Sequence, residues 1–530
     1  MRRLFFGLLV LLIPLLTSIG SYGDEPKEFA THVSIVGAGN DSFFGKHAAV
    51  GPFRNLSENS LIISEKYYGD NDNGRVNIFF DADSIPNGQY NISSYPADVS
   101  FIGQSDDQIS DETVFCDFNG DGYSDAIFNR TIVGGRDETI FVFYGGPHWT
   151  SGTVITDLDN EADVVIYAAD DNPFRHQMIC GDVNGDQYDD LLTAEEPLVI
   201  LGSDSPSGTI IDLETDQADV RFTGGVAEAL YYPLLADING DGTNDFVFSH
   251  DSDFYGILYI WFGFDDYTTP RVIDVETTPP DIYYKHPLYE AFFRCLDAGD
   301  WNGDGADDVI CRRSYNSELR LVIIKLGQVG LEPGGVLSNQ FSVFSPYYPF
   351  SFGDIDGDDQ LDLIFQSHAF YWDREAFPQT GTWSLEDYEP QGTHEPNGFE
   401  QGKTLVTNLD NDGIPDVIFY DPAADPSKVT GAVEIFFSSR DGVDDDTIDD
   451  DTTPDDDTID DDTTPDDDTT PDDDTTPDDD TVPDDDTTSD DDVDDDEADD
   501  DSTPDDDLDD DEADDDSAAD DDDDDDGCGC

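Results

Sequence analysis

The sequence predicts an all-β fold: a seven-bladed β-propeller over residues 24–440, closed by its N-terminal strand and followed by a disordered acidic tail over 441–530. Three observations predict it. A nine-residue acidic loop recurs six times. Short apolar runs rich in β-branched and aromatic residues flank each copy, as strands would. A seventh copy of the same frame lies upstream, so loop starts fall at 52, 117, 182, 237, 300, 354 and 408. Periods above about 40 residues with several short strands per unit point to a propeller rather than a helical solenoid.

The elements can be taken in chain order. Residues 1–23 have the form of an export signal. Arg2 and Arg3 precede the apolar stretch Leu4–Leu16, and Ser21-Tyr-Gly23 places small residues before a cut at Asp24. The apolar stretch is short for a membrane span. The segment His32-Val-Ser-Ile-Val-Gly37 resembles the fourth strand of a unit, as in Ala97–Gly103, while the last unit ends after its third strand at Phe437. The N-terminal strand is therefore expected to complete the seventh blade by pairing Val33–Val36 with Ala432–Phe437. Such closure leaves no ring seam with unpaired backbone groups.

The first frame, Gly51-Pro-Phe-Arg-Asn-Leu-Ser-Glu-Asn-Ser60, aligns without gaps on Gly181–Asp190. Pro52, Arg54, Leu56 and Ser60 stand where the other copies have side-chain ligands, so the frame is kept and the metal site lost.

Each later unit repeats one order of four antiparallel strands. The first precedes the loop (Val114–Cys116, Leu234–Ala236) and the second follows it (Ala126–Phe128, Phe246–Phe248, Val417–Tyr420). Examples of the third are Ile140–Tyr144, Ile257–Phe262, Leu321–Ile324 and Ala432–Phe437. The fourth begins Ala-Asp-Val (Ala97, Ala162, Ala218). In the sixth unit a third strand is hard to find in Phe370–Ser384.

The six loops are the candidate metal sites. They run Asp117-Phe-Asn119-Gly-Asp121-Gly-Tyr123-Ser-Asp125, Asp182-Val-Asn184-Gly-Asp186-Gln-Tyr188-Asp-Asp190, Asp237-Ile-Asn239-Gly-Asp241-Gly-Thr243-Asn-Asp245, Asp300-Trp-Asn302-Gly-Asp304-Gly-Ala306-Asp-Asp308, Asp354-Ile-Asp356-Gly-Asp358-Asp-Gln360-Leu-Asp362 and Asn408-Leu-Asp410-Asn-Asp412-Gly-Ile414-Pro-Asp416. A carboxylate or carboxamide stands at positions 1, 3, 5 and 9 of each. A backbone carbonyl at position 7, from Tyr123, Tyr188, Thr243, Ala306, Gln360 or Ile414, adds a fifth oxygen. Oxygen-only ligation suits a hard cation, and the expected cofactor is Ca²⁺ at about six sites. Glycine at position 4 or 6 permits the sharp turn around an ion. Metal-free acidic turns are the competing account, but three or four carboxylates in one tight loop repel each other without a cation. An EF-hand would need a carboxylate at position 12. That position holds Phe128, Thr193, Phe248, Cys311, Phe365 and Phe419.

These residues resemble the FG-GAP repeats of integrin α-subunit propellers. The loops follow the Asp-x-Asn-x-Asp-Gly-x-x-Asp signature, and Phe44-Gly45 stands where the family has Phe-Gly. The resemblance implies Ca²⁺ in the loops between first and second strands, on a lower face, with partners on the opposite, upper face.

The net charge is −104, and residues 441–530 hold 52 acidic residues and no basic ones. This excludes sequence-independent binding to nucleic acid and argues against adhesion to anionic lipid. Cationic partners, divalent ions and neutral glycans stay open. The Thr-Thr-Pro-Asp-Asp-Asp repeats of the tail cannot form a core, so they are expected to be disordered and extended, as a solubilising spacer, a stalk or a diffuse Ca²⁺ store. The end, Gly527-Cys528-Gly-Cys530, resembles the start of a C-terminal surface-sorting signal but lacks the apolar helix and Arg cluster that would follow. Among the other cysteines, Cys295 and Cys311 flank one loop and Cys116 and Cys180 precede two consecutive ones. An exported chain permits disulfides, but spacing leaves pairing and free thiols equally open.

No nucleophile elbow, zinc-protease helix, phosphate loop or Cys/His zinc spacing is present, so no catalytic residue or other cofactor is assigned. Tyr347–Phe352 and His368–Trp372 are aromatic enough to line a glycan site or to fill blade cores. The expected function is that of a secreted or cell-surface, Ca²⁺-binding adhesion or ligand-binding module for an extracellular protein or glycan. The alternatives are a secreted enzyme acting on polysaccharide and a structural surface protein.

Overall fold

Where Ile, Val and Phe alternate or run together, the chain pairs into antiparallel strands whose two faces are both covered. Asp125–Arg130 and Thr139–Phe143 are buried at every position. The computed structural model describes residues 31–39, 42–69, 71–131, 138–168, 177–194, 197–213, 218–224, 230–250, 257–264, 270–285, 292–315, 319–345, 350–355, 360–365, 370–372, 381–384, 403–413, 415–425 and 430–437. The expected signal segment, the acidic tail, Cys528 and Cys530 lie outside them. Helix is confined to Leu158–Glu161 and one turn at Ala82–Ser84 among the described residues.

The described strands form seven sheets, one per repeat. In chain order, the first sheet holds Phe44–Asn55, Glu58–Glu65, Arg75–Phe79 and Val99–Ile102. The second holds Ile109–Cys116, Asp125–Arg130, Thr139–Phe143 and Val164–Tyr167. The third is made by Met178–Gly181, Asp190–Thr193, Leu198–Ile200 and Val220–Thr223, the fourth by Tyr231–Ala236, Asp245–His250, Ile257–Trp261 and Ile282–Lys285. The fifth contains Phe292–Gly299, Asp308–Tyr315, Leu319–Leu326 and Ser338–Ser345. In the sixth, Phe370–Trp372 pairs with Leu363–Phe365 as the third strand that the sequence leaves hard to find. The seventh holds Lys403–Thr407, Asp416–Asp425, Thr430–Phe437 and, as its fourth strand, Thr31–Val36. The expected N-terminal pairing is present: Val33 stands opposite Ile435 and Val36 opposite Ala432.

A fifth strand was not anticipated. In five sheets the outer strand pairs in parallel with a short segment from the next repeat: Thr153–Ile155, Thr209–Asp212, Arg271–Asp274, Gly381–Ser384 and, onto the N-terminal strand, Gly88–Asn91. Four of these segments lie between the third and fourth strands of their own repeat, and Gly381–Ser384 follows the third strand of the sixth, so every such crossing ties one repeat to its predecessor. The traces in sequence are Gly152-Thr-Val-Ile and Gly208-Thr-Ile-Ile, a recurring glycine-threonine before β-branched residues.

Apolar cores lie between successive sheets. Phe53, Phe101, Phe128 and Phe143 fill the space between the first and second. Val33, Phe44, Leu61, Ile418 and Val433 do the same between the seventh and the first. Burying a side chain of this size stabilises by about 1.5–3 kcal/mol. The first strand of each sheet touches the first strand of the next, and that of the seventh touches that of the first.

Candidate metal loops and the opposite strand ends

The acidic loops sit in one register. Cys116 pairs with Asp125, Gly181 with Asp190, Ala236 with Asp245, Gly299 with Asp308, Gly353 with Asp362 and Thr407 with Asp416. Gly51 pairs with Ser60 in the same way, so the ligand-poor first copy keeps the frame.

Positions 4 and 6 take left-handed backbone. Gly120 has φ 70° and Gly122 φ 89°, and Gly303 and Gly305 repeat the pattern. Gln187 at φ 75° and Asn411 at φ 58° adopt it without being glycine. This curl turns the side chains at positions 1, 3 and 5 back onto the loop's own amides. In the loop at 117–125, Gly122 N–H donates to Asp117 Oδ2 at 2.9 Å, Asp121 N–H to Asn119 Oδ1 at 3.0 Å, and Tyr123 N–H to Asp121 Oδ1 at 2.9 Å. The loops at 182–190 and 237–245 repeat these bonds, and that at 300–308 has its position-1 and position-5 bonds.

Position 9 behaves differently. Its carboxylate is buried in all six loops. It accepts the position-2 N–H at 2.8–3.0 Å in five of them. The other oxygen accepts a glycine N–H beyond the third strand, from Gly145, Gly202, Gly263 or Gly327, at 2.8–2.9 Å. Burial, opposed by these bonds, raises Asp125 to about 8 and Asp190, Asp245 and Asp308 to about 7. Position 9 is thus a structural clamp as well as a candidate ligand.

The donor set fits a hard cation in chemistry: each loop carries carboxylate, carboxamide and backbone carbonyl oxygens within one turn. Two position-1 oxygens, Asp117 Oδ1 and Asn408 Oδ1, are buried without a hydrogen-bond partner, which is costly unless something positive meets them. Among the described residues, no group of three or more His, Cys, Asp or Glu side chains is gathered as closely as a bound metal would require. Asp356, Asp358 and Ile414 lie outside the described residues.

Sequence reasoning assigned no role to position 8, yet it latches neighbouring repeats. Asp189 accepts the Asp117 N–H at 2.9 Å, Asp307 the Asp237 N–H at 2.9 Å, and Asn244 Nδ2 donates to the Asp182 carbonyl at 3.0 Å. Asn59, at position 8 of the first repeat, donates to the carbonyl of Asn408 in the seventh at 2.7 Å. The signal available was a polar residue at this position in five of the seven frames.

Both candidate cysteine pairs are disulfides. Cys116–Cys180 joins the second sheet to the third, and Cys295–Cys311 joins two paired strands of the fifth. Phe352 is buried and stacks on Trp301 at 5.3 Å, which is a core role. Tyr347 and His368 lie outside the described residues. Gly45, of the Phe-Gly pair, has φ 74°, and a Cβ there would stand 2.8 Å from the Ala432 carbonyl, so the seventh sheet's backbone needs a glycine at that point.

No family model matches the sequence, and no curated protein matches it. Among solved structures, one titled "Structure of Dos1 propeller" is similar at a TM-score of 0.36 and 9% identity, covering 76% of this chain and 88% of that one. A likeness that low carries no argument here. The described residues form a mainly β protein whose strands pair into seven sheets with acidic hairpin loops.

Proposed function

We propose that the chain is a Ca²⁺-stabilised, seven-bladed β-propeller of FG-GAP type, closed by its N-terminal strand, exported, and used at or outside the cell surface as an adhesion or ligand-binding module. The observation that carries the metal reading is the set of inward-turned oxygens, with buried position-1 atoms left without a donor at Asp117 and Asn408. Asp117, Asn119, Asp121, Asp125 and the Tyr123 carbonyl would hold one ion, and the homologous residues the others. The ion supplies positive charge to a loop that otherwise gathers like charges. Ring closure draws support from the touching first strands, the shared core of seventh and first sheets, and the Asn59 latch. Among the described residues no helix is long and apolar enough to cross a membrane.

On this reading the loops are structural and a partner binds at the opposite strand ends. The test is a glycan and protein binding screen with Ca²⁺ and with chelator. Binding should depend on Ca²⁺ only through folding and survive removal of residues 441–530. Turnover of a polysaccharide or ester, lost when one carboxylate at the opposite strand ends is replaced, would favour the enzyme alternative.

A further inference from the structure

Away from the acidic loops, the strand ends of three repeats bring scarce positive charge together. Lys46 and His47 open the first strand of repeat one, Lys66 follows its second strand, and Lys403 opens the first strand of repeat seven. Asp111 and Glu112 face them from repeat two. Three of the chain's seven lysines meet here, in a protein of net charge −104.

Lys46 and Lys66 both reach Asp111 Oδ1, Lys66 at 2.6 Å. His47 Nε2 stands 3.6 Å from Glu112 Oε1. Burial first, then the charges of Lys403, Lys46 and Lys66, holds His47 well below its ordinary range, so the imidazole is neutral. Burial, and for Lys46 also the charge of Lys66, lowers Lys46 to about 7 and Lys66 below the ordinary lysine value. The cluster therefore sets up to three ammonium groups against two carboxylates, and a bound anion would favour the charged form of the lysines. Arg75 is engaged separately, by Glu65 Oε2 at 2.6 and 3.0 Å. The Lys46 side chain remains 26% exposed and that of Lys66 15%, which makes the group recessed but reachable from solvent.

Aromatic surface adjoins the charge. Phe43 precedes the strand at φ 53°, a conformation that a bulky residue keeps only when its surroundings enforce it. Its ring meets Tyr67 edge-on at 5.0 Å, and Lys66 Nζ lies 5.5 Å from the same tyrosine ring. Both aromatic residues are partly exposed. A flat apolar face beside an ammonium pair suits a sugar ring that carries an acidic group: the ring's C–H face rests on the aromatic and the anion meets the lysines. The negative charge elsewhere is little obstacle, since at physiological ionic strength it is screened beyond about 8 Å.

We infer that Lys46, Lys66 and Lys403, with Phe43 and Tyr67, form a binding site for an acidic glycan whose carboxylate or sulfate sits on the lysines. The inference rests on the reading of the domain as a ligand-binding module and names its ligand class.

Titrating the full chain in Ca²⁺ by calorimetry tests it, with hyaluronan hexasaccharide as the carboxylate probe and heparin hexasaccharide as the sulfate probe. Maltohexaose and hexaglutamate serve as neutral and peptide comparators. At least one acidic glycan should bind at a single site, and maltohexaose should not. Lys46→Gln and Lys66→Gln should each weaken binding at least tenfold, and Tyr67→Leu should weaken the glycan specifically. Lys403→Gln, at an exposed side chain, should weaken it severalfold without moving the melt, and the distant Lys285→Gln should change nothing. Binding of neither acidic glycan, equal loss in Lys285→Gln, or hexaglutamate binding as tightly as the glycans would each overturn the assignment. Stabilisation by Ca²⁺ without glycan binding would remove this inference alone. Glycan binding without Ca²⁺ stabilisation would remove the metal reading alone.

Discussion

The buried carboxylate of Asp125 accepts the backbone N–H of Phe118 at 3.0 Å, and so closes the acidic loop onto the strand that follows it. Its other oxygen takes the Gly145 N–H at 2.8 Å. Asp125→Ala would leave these amides and that of Asn119 without an acceptor. The expected loss is about 3 kcal/mol in chelator, at roughly 1–3 kcal/mol per unsatisfied group partly offset by relief of carboxylate burial, and larger in Ca²⁺, where a proposed ligand is lost as well. Urea melts in chelator and in Ca²⁺ measure it. The exposed Asp121 differs: Asp121→Ala should cost less than about 1 kcal/mol in chelator, yet remove one Ca²⁺ from the count. Ser57→Ala, in the ligand-poor loop, should remove none.

Chelator itself is the broader test. A ligand that binds only the folded state stabilises it by RT ln(1 + [L]/Kd), about 2.7 kcal/mol per site at a hundredfold excess over Kd. With several loops filled, Ca²⁺ should raise the melting temperature by well over ten degrees. Identical melts with and without chelator would sink the metal reading.

What the sequence disclosed, and what it hid, follows from where each signal resides. Strands, their order and the frame at Gly51–Ser60 are local or periodic, so alternation and spacing reveal them. The N-terminal pairing was legible because a missing fourth strand at Phe437 and a surplus one at His32 leave one solution. The parallel segments such as Thr209–Asp212 were not legible, because a four-residue run that pairs with a neighbouring repeat has no partner in its own. The position-8 latch hid for the same reason: Asn244 acts on Asp182, in another repeat. Position 9 was named as a ligand because oxygen chemistry is visible in sequence, whereas its clamp on Gly145 depends on where the third strand ends.

Asn59 provides a test of the link between last and first repeats. Its amide nitrogen donates to the Asn408 carbonyl at 2.7 Å and to Asn411 Oδ1 at 3.1 Å. Asn59→Ala should cost about 1–2 kcal/mol. Asn59→Asp should cost more, because a carboxylate would face two acceptors with no proton to give. Equal stability of the two variants would show that the bond does not hold the repeats together.

Gln187 occupies position 6 of its loop at φ 75°, where four other loops have glycine at φ 87–93°. Gln187→Gly should remove left-handed strain and stabilise by about 0.5–1 kcal/mol, net of glycine's greater freedom in the unfolded chain. A lower urea midpoint would contradict this.

Asp297 carries a pH prediction. Its carboxylate accepts the Ser351 hydroxyl at 2.7 Å and the Phe352 N–H at 2.8 Å, across to the sixth sheet. Burial raises it above the ordinary Asp value of 3.8 despite these bonds. A raised carboxyl favours the folded state fully below the unfolded value, and the advantage is lost as pH climbs through the folded value. Asp297→Asn, which cannot ionise, should therefore gain on the wild type as pH rises from 4 to 7. A stability difference flat across that range would refute the assignment.

The final prediction concerns the chain's first described strand. Val33 and Ile35 are fully buried, Val33–Val36 pair with Ala432–Ile435, and the same strand receives Gly88–Asn91 on its other edge. Deleting residues 24–40 would therefore bare one edge of Thr430–Phe437 and strip the core shared by the seventh and first sheets. A bared edge with an apolar face invites pairing with another chain. The deletion should unfold the domain or drive it into oligomers, read by light scattering and melting, and a synthetic peptide spanning residues 31–37 should partly restore the monomer. Deleting 441–530 removes acidic, low-complexity sequence with too few apolar residues to supply a core, and should leave the melt unchanged. A monomeric 24–40 deletion with the wild-type melting temperature would mean that the N-terminal strand does not close the fold.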